Sequence, residues 1–258
     1  MNLLIGGILA LFCVQSIHAL FANQCQRDLS NYKRQTKKFF WEFDREHDIA
    51  HDDYLAIKKL CNDLTAALAL FADPNYGSGK NAAKIECEVA EFNKSFFGVR
   101  ISAVEHITHL WYEIVILLDQ VDDFRCKNNV VCVAGESNTG CDAEFNKFKC
   151  DLAAFFQGVI DAGVQAKQIL RGLLDGCDIL GEKTRSFDCS INPTCHGTGC
   201  SCGGNGKGNP GNPNILLALK SFISDFIPAH DVAHELLENL GVLCGALTEG
   251  INYWKSIL

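Results

Sequence analysis

Six histidines stand in three close pairs: His47 with His51, His106 with His109, and His230 with His234. Residues three or four apart share one face of a helix, so each pair can present two imidazole nitrogens to a single ion. The outer pairs belong to a five-residue stretch that occurs twice, His47-Asp48-Ile49-Ala50-His51 and His230-Asp231-Val232-Ala233-His234. A cysteine follows each stretch at the same distance, Cys61 and Cys244. The middle pair is spaced i, i+3, and Glu113 lies one turn beyond His109. Imidazole sets of this kind suit zinc or copper, whose sites favour nitrogen, and make these six residues a candidate metal site. Two other readings use the same residues. Axial histidines from different helices, in a cavity left by small side chains, would hold a haem or border another small apolar ligand. Core histidines bonded to carboxylates such as Asp48, Glu113 or Asp231 would be structural only.

Histidines at these spacings need helices to align them. From Cys25 to Ala72 there is neither Gly nor Pro, and Leu29, Tyr32, Phe40, Phe43, Ala50, Tyr54, Ile57, Cys61, Leu64, Leu68 and Phe71 recur at helical spacing. A second stripe runs from Ile85 to Phe124, a third from Phe145 to Leu180, and a fourth from Leu216 to Trp254 with Pro228 inside it. These predict helices over about 25–72, 81–126, 141–180 and 214–257. A Cys/Gly-rich loop over 181–213, carrying Cys189, Cys195, Cys200 and Cys202, fits no packed core and reads as pinned by disulfides.

The helices are copies of one unit. Aligning the two His-Asp-x-Ala-His stretches also aligns Phe39 with Phe222, Tyr54 with Leu237 and Cys61 with Cys244. The third stripe joins without a gap: Cys141 matches Cys25, Gly163 matches His47, and Cys177 matches Cys61. The second stripe matches less closely. The expected fold is therefore all-α, an elongated four-helix bundle of Cys-bounded repeats forming a single domain over 25–258, with up-down-up-down neighbours. The alternative is four tandem helical hairpins, turning near Gly98, Gly158 and Pro228, in which each opening cysteine bonds its own closing cysteine. In continuous helices Cys25 and Cys61 lie about 54 Å apart and cannot bond. In the bundle, small residues near the histidines (Ala50, Ala103, Gly163, Ala166 and Ala233) would leave room for a ligand in one central histidine layer.

In number and in helical-bundle setting, the two His-x-x-x-His pairs with two further histidines resemble the paired sites of type-3 copper proteins. The resemblance covers these six residues and carries no activity with it. No Gly-x-Ser-x-Gly elbow, phosphate-cradling glycine loop or His-Glu-x-x-His is present, so nothing points to an enzyme.

An apolar run from Leu3 to Val14, followed by small residues at Ala19 and Ala22, reads as a secretory signal peptide over 1–19, with cleavage as late as 22 as the alternative. Of the 14 cysteines, Cys13 lies in that leader. An odd number then remains in an oxidising compartment, leaving one thiol free or joined to another chain. The expected location is extracellular, with no membrane span. A net charge of -8 excludes nucleic acid as the expected partner. Asn93-Lys94-Ser95 is an acceptor sequence for glycosylation.

Overall fold

The computed structural model describes the backbone of residues 2–133, 140–191 and 214–258, with side chains from residue 24 onward in those ranges except 189 and 190. Most of the expected Cys/Gly-rich loop, with Cys195, Cys200 and Cys202, lies outside the described residues, as do the side chains of the expected leader. The described residues form four helices: α1 Asn2–Ala72, α2 Ala82–Asn128, α3 Cys141–Ile191 and α4 Ile215–Ile257. No strand occurs among the described residues.

Local chemistry sets the helix ends. After Ala72, the Asp73 carboxylate accepts a hydrogen bond from the Asn75 amide at 2.8 Å, and Gly77 and Gly79 take positive φ values of 88° and 72°. Asn81 caps α2, its side-chain oxygen accepting from the Lys84 amide at 2.9 Å. Asn129, at φ 46°, ends α2 in the left-handed conformation that asparagine tolerates. Asp142 and Glu144 sit in the first turn of α3, where the helix dipole favours negative charge. The third helix runs eleven residues beyond the expected stop at 180, to Ile191. Its buried stripe simply continues through Leu180, Thr184 and Phe187, with the Thr184 hydroxyl donating to the Leu180 carbonyl at 2.9 Å. Gly181 therefore lies within a helix held by its neighbours, where propensity alone would have ended it. The fourth helix is likewise continuous through Pro228.

The chain forms two compact units, each built from a segment of every helix. Unit 1 comprises Met1–His47, Val115–Gly163 and Ala246–Leu258. Its core is aromatic: Phe39 meets the edge of Phe156, with centroids 5.2 Å apart, and Phe40 stacks on Trp254 at 5.5 Å. Disulfides join Cys25 to Cys141 and Cys132 to Cys150. Cys25 bonds the opening cysteine of another repeat, not Cys61, and the helices do not turn back at mid-repeat. The hairpin alternative is therefore excluded. Within this unit α1 runs parallel to α3, through Cys25–Cys141 and then Phe39–Phe156. It runs antiparallel to α4, through the Asp44–Lys255 ion pair and then His47 beside Thr248. Gly163 leaves no space for a ligand: a methyl group there would come within 2.9 Å of the Leu118 side chain, which fills the position.

Unit 2 comprises Asp48–Ile114 and Val164–Gly245. Leu64, Leu68, Phe71, Val89, Phe92, Phe96, Leu180, Phe187, Leu219, Phe222 and Phe226 form its core, with Phe187 stacked on Phe222 at 4.5 Å. Glu88 ties one end together, accepting from the Tyr76 hydroxyl at 2.7 Å and from Lys80 at 2.6 Å. Asn93, the glycosylation acceptor, is only 4% exposed, and its amide nitrogen donates to Asp188 at 3.2 Å. Among the described residues α2 alone is long and apolar enough to cross a membrane, a test that the core helix of a bundle also passes.

Helical spacing along the third stripe, through Phe148, Leu152, Phe155 and Val159, predicts Phe155 in the core, but Phe156 is fully buried there, whereas Phe155 is half-buried against Gly250. Phe156→Ala is expected to lower stability by about 3–5 kcal/mol, and Phe155→Ala by clearly less. Denaturant unfolding of both variants checks the order, and equal losses would contradict the assignment.

Candidate functional site

In unit 2 the helices α1 and α2 meet through one carboxylate. Asp53 lies on the buried face of α1 between Ala50 and Ile57 and is 8% exposed. Its Oδ1 lies 2.7 Å from His106 Nδ1, and its Oδ2 makes a short hydrogen bond with His109 Nδ1. A carboxylate accepts only, so both rings donate from Nδ1, and in its neutral form each ring keeps a lone pair on Nε2. His109 Nε2 lies 3.7 Å from Glu113 Oε1. Glu113 is 7% exposed, and its other oxygen, Oε2, is buried with no hydrogen-bond partner among the described residues. The positions 106, 109 and 113 fall on one face of α2. The rings themselves reach solvent, with side-chain exposures of 40% for His106 and 56% for His109.

The other histidines are placed differently. His47, in unit 1, is buried, with Nε2 3.4 Å from the Thr248 hydroxyl. The His51 ring lies 5.9 Å from the ring of Tyr54. His230 is buried, with Nε2 3.6 Å from Cys61 Sγ and 3.4 Å from the Thr65 hydroxyl. His234 is half-buried one turn further along α4. His106 and His109 share a polar partner, Asp53. Among the described residues no group of three or more His, Cys, Asp or Glu side chains is arranged to hold a metal ion.

Small residues border a cavity in unit 2. It measures about 60 Å³ and is bordered by Ala103, Ala233, Leu237, His230 and the thiols of Cys61 and Cys177. A cavity of about 150 Å³ takes a benzene. This one is too small for a haem, and His230 is its single imidazole. The residues present therefore do not fit that cofactor.

Electrostatics separate the two kinds of histidine. The hydrogen bond to Asp53, and then its charge, raise the His109 pKa above the usual imidazole value, with Glu113 adding to the effect. Burial lowers the His230 pKa, against weaker opposing contributions from Cys61 and Asp231. Sequence reasoning identified the histidine pairs and Glu113. It named Asp48 and Asp231 as partners for the outer pairs: both are exposed, and Asp231 Oδ1 lies 3.9 Å from His230 Nδ1. It missed Asp53, although an acidic residue three after Ala50 and four before Ile57, on an otherwise apolar stripe, was a readable signal of a buried, partnered carboxylate.

No known protein family matches the chain, and neither the curated proteins nor the solved structures include one detectably similar to it.

The raised pKa gives a pH dependence with a defined sign. His109 contributes stability that is fully present below its unfolded pKa, near 6.5, and lost as pH rises through its higher folded pKa. His230 acts oppositely: its lowered pKa makes protonation unfavourable to the fold, so stability falls as pH drops below about 6.5. NMR titration of the imidazole protons is expected to place His109 above and His230 below the ordinary value. Asp53→Asn should return His109 toward the ordinary value and leave His230 in place. An unmoved His109 in that variant would contradict the pairing.

Proposed function

We propose that this is a secreted, disulfide-bonded helical-bundle protein that binds zinc or copper on α2. His109 and Glu113 are the primary ligands, His106 stands beside them, and Asp53 orients both rings. This reading narrows the candidate site from six histidines to one pair. Glu113 carries it. A buried carboxylate with one oxygen lacking a donor among the described residues, and the other 3.7 Å from a ring nitrogen, has open acceptor positions that a cation would fill. When the ring is neutral, with its one proton on Nδ1 toward Asp53, His109 Nε2 and Glu113 are two acceptors facing one another, and an ion between them would satisfy both.

The surroundings support the same chemistry. A carboxylate behind a histidine fixes its tautomer and raises its basicity, a common arrangement around metal ions, and here one carboxylate serves two rings. The exposure of His106 and His109 gives an ion a path in and leaves room for water ligands. A net charge of -8 attracts cations. Disulfides in unit 1 and the apolar leader support secretion.

Isothermal titration of the full chain, after dialysis against a chelator, with zinc and separately with copper(II), tests the reading. Stoichiometric binding is expected. His109→Ala and Glu113→Gln should each weaken it by about ten-fold or more, and Asp53→Asn by about 10–100-fold. His47→Ala and His234→Ala should leave it unchanged. Absence of binding, or unchanged affinity in His109→Ala and Glu113→Gln, would overturn the assignment. Equal loss in His47→Ala would overturn the narrowed site in favour of the wider histidine set.

A further inference from the structure

Cys61 and Cys177 are both half-buried thiols in unit 2. They occupy equivalent positions in the first and third repeats, as Cys25 and Cys141 do, and Cys25–Cys141 is a disulfide. The sequence separation within each pair is the same, 116 residues. The border of the unit 2 cavity repeats this separation: Ile57 with Leu173, Cys61 with Cys177, and Leu64 with Leu180 are three such pairs, each one turn from the next, and all six side chains face the same space. Two parallel helices that present equivalent residues to one cavity at three successive turns are in register there, and the middle pair is the two sulfurs. The two sulfurs are close enough for the charge of Cys177, after burial, to raise the Cys61 pKa.

We propose that Cys61 and Cys177 are the two halves of a further α1–α3 disulfide, closed across the unit 2 cavity by exchange with a small-molecule disulfide. In the first step the Cys61 thiolate attacks the reagent, forming a mixed disulfide and releasing one reagent thiolate. In the second, Cys177 attacks the Cys61 sulfur and expels the other. The reagent S–S bond is broken and one protein S–S bond formed. Two electrons pass from the cysteine pair to the reagent, and the two thiol protons end on the released thiols.

The surroundings make this bond a structural cross-link and not a turnover site. Burial pushes the Cys61 thiol up to about 11 and raises that of Cys177 too, the latter against the opposing charge of Arg100. The Cys61 neighbour His230 stays neutral, because the same burial lowers its pKa, so no stable thiolate–imidazolium pair forms. Exchange is slow at neutral pH, and the product, shielded by Ile57, Leu64, Leu173 and Leu180, is slow to reopen.

Peptide mapping of the intact chain tests this. The protein is incubated with oxidised glutathione in mildly alkaline buffer, unfolded, alkylated with iodoacetamide and digested without reduction. The expected product is a Cys61 peptide joined to a Cys177 peptide, lighter by two hydrogens than the separate thiol peptides, with alkylation lost at both cysteines. In Cys61→Ser the Cys177 thiol should become alkylatable while Cys25–Cys141 persists. Full alkylation of both thiols in the oxidised wild type, stable glutathionylation of Cys61, or Cys61 joined to Cys126 or Cys244 would each overturn the proposal. The decisive measurement is made on the unaltered chain, so the result does not depend on a variant folding.

Discussion

The parallel register of α1 with α3 is the constraint on which the packing depends. In unit 1 a covalent bond fixes it, closing a loop of 116 residues between Cys25 and Cys141. On a chain-entropy account a loop of that size contributes about 4–5 kcal/mol by restricting the unfolded chain. Once that register holds, Phe39 can reach Phe156 and Tyr32 can meet Phe145 and Phe148, each an aromatic contact whose partners lie about one repeat separation apart. Duplication explains why so many contacts obey a single offset. A helix and its copy carry the same stripe, and placing the copies side by side in register sets like residues against like.

Charge placed inside the bundle follows a different logic from the aromatic core. Asp53 is buried but fully engaged by two imidazoles, which removes most of the penalty of desolvating it. Glu113 has no such arrangement, with one oxygen unpartnered and the nearest imidazole nitrogen at 3.7 Å. Of these two carboxylates on facing helices, Asp53 has both oxygens engaged and Glu113 does not, and the proposed metal site rests on that contrast. Nor are the histidines of this chain one population: a carboxylate partner favours charge on His109, while burial against a thiol and a hydroxyl disfavours it on His230.

Much of the architecture could be read from the residues, because apolar stripes at helical spacing over forty or so positions, the first of them without Gly or Pro, leave few alternatives to long helices. Nearly every apolar residue read on the first stripe, from Leu29 to Phe71, is buried. Reading was poorer where adjacent residues compete for one place, as with Phe155 and Phe156, since periodicity fixes a face only to within about one residue. It also failed at Gly181, where packing of Leu180 and Phe187 overrides local preference. Half of the site was legible, through the spacing of His106, His109 and Glu113 along one helix. The other half, Asp53, comes from another helix, and periodicity along one element carries no information about which polar groups meet across two. The room expected beside Gly163 had the same weakness: the sequence shows the missing side chain, and only the fold shows Leu118 filling the place.

The burial of Asn93 against Asp188 has a consequence in time. Its partner lies 95 residues further along the chain, so during synthesis the acceptor amide remains accessible until the end of α3 has emerged and packed. A sugar added in that interval would occupy the place where α3 must dock, and a chain that escapes modification closes over the amide for good. The occupancy of Asn93 in a population of chains would thus act as a stopwatch on assembly, recording the fraction in which transfer outran the docking of α3.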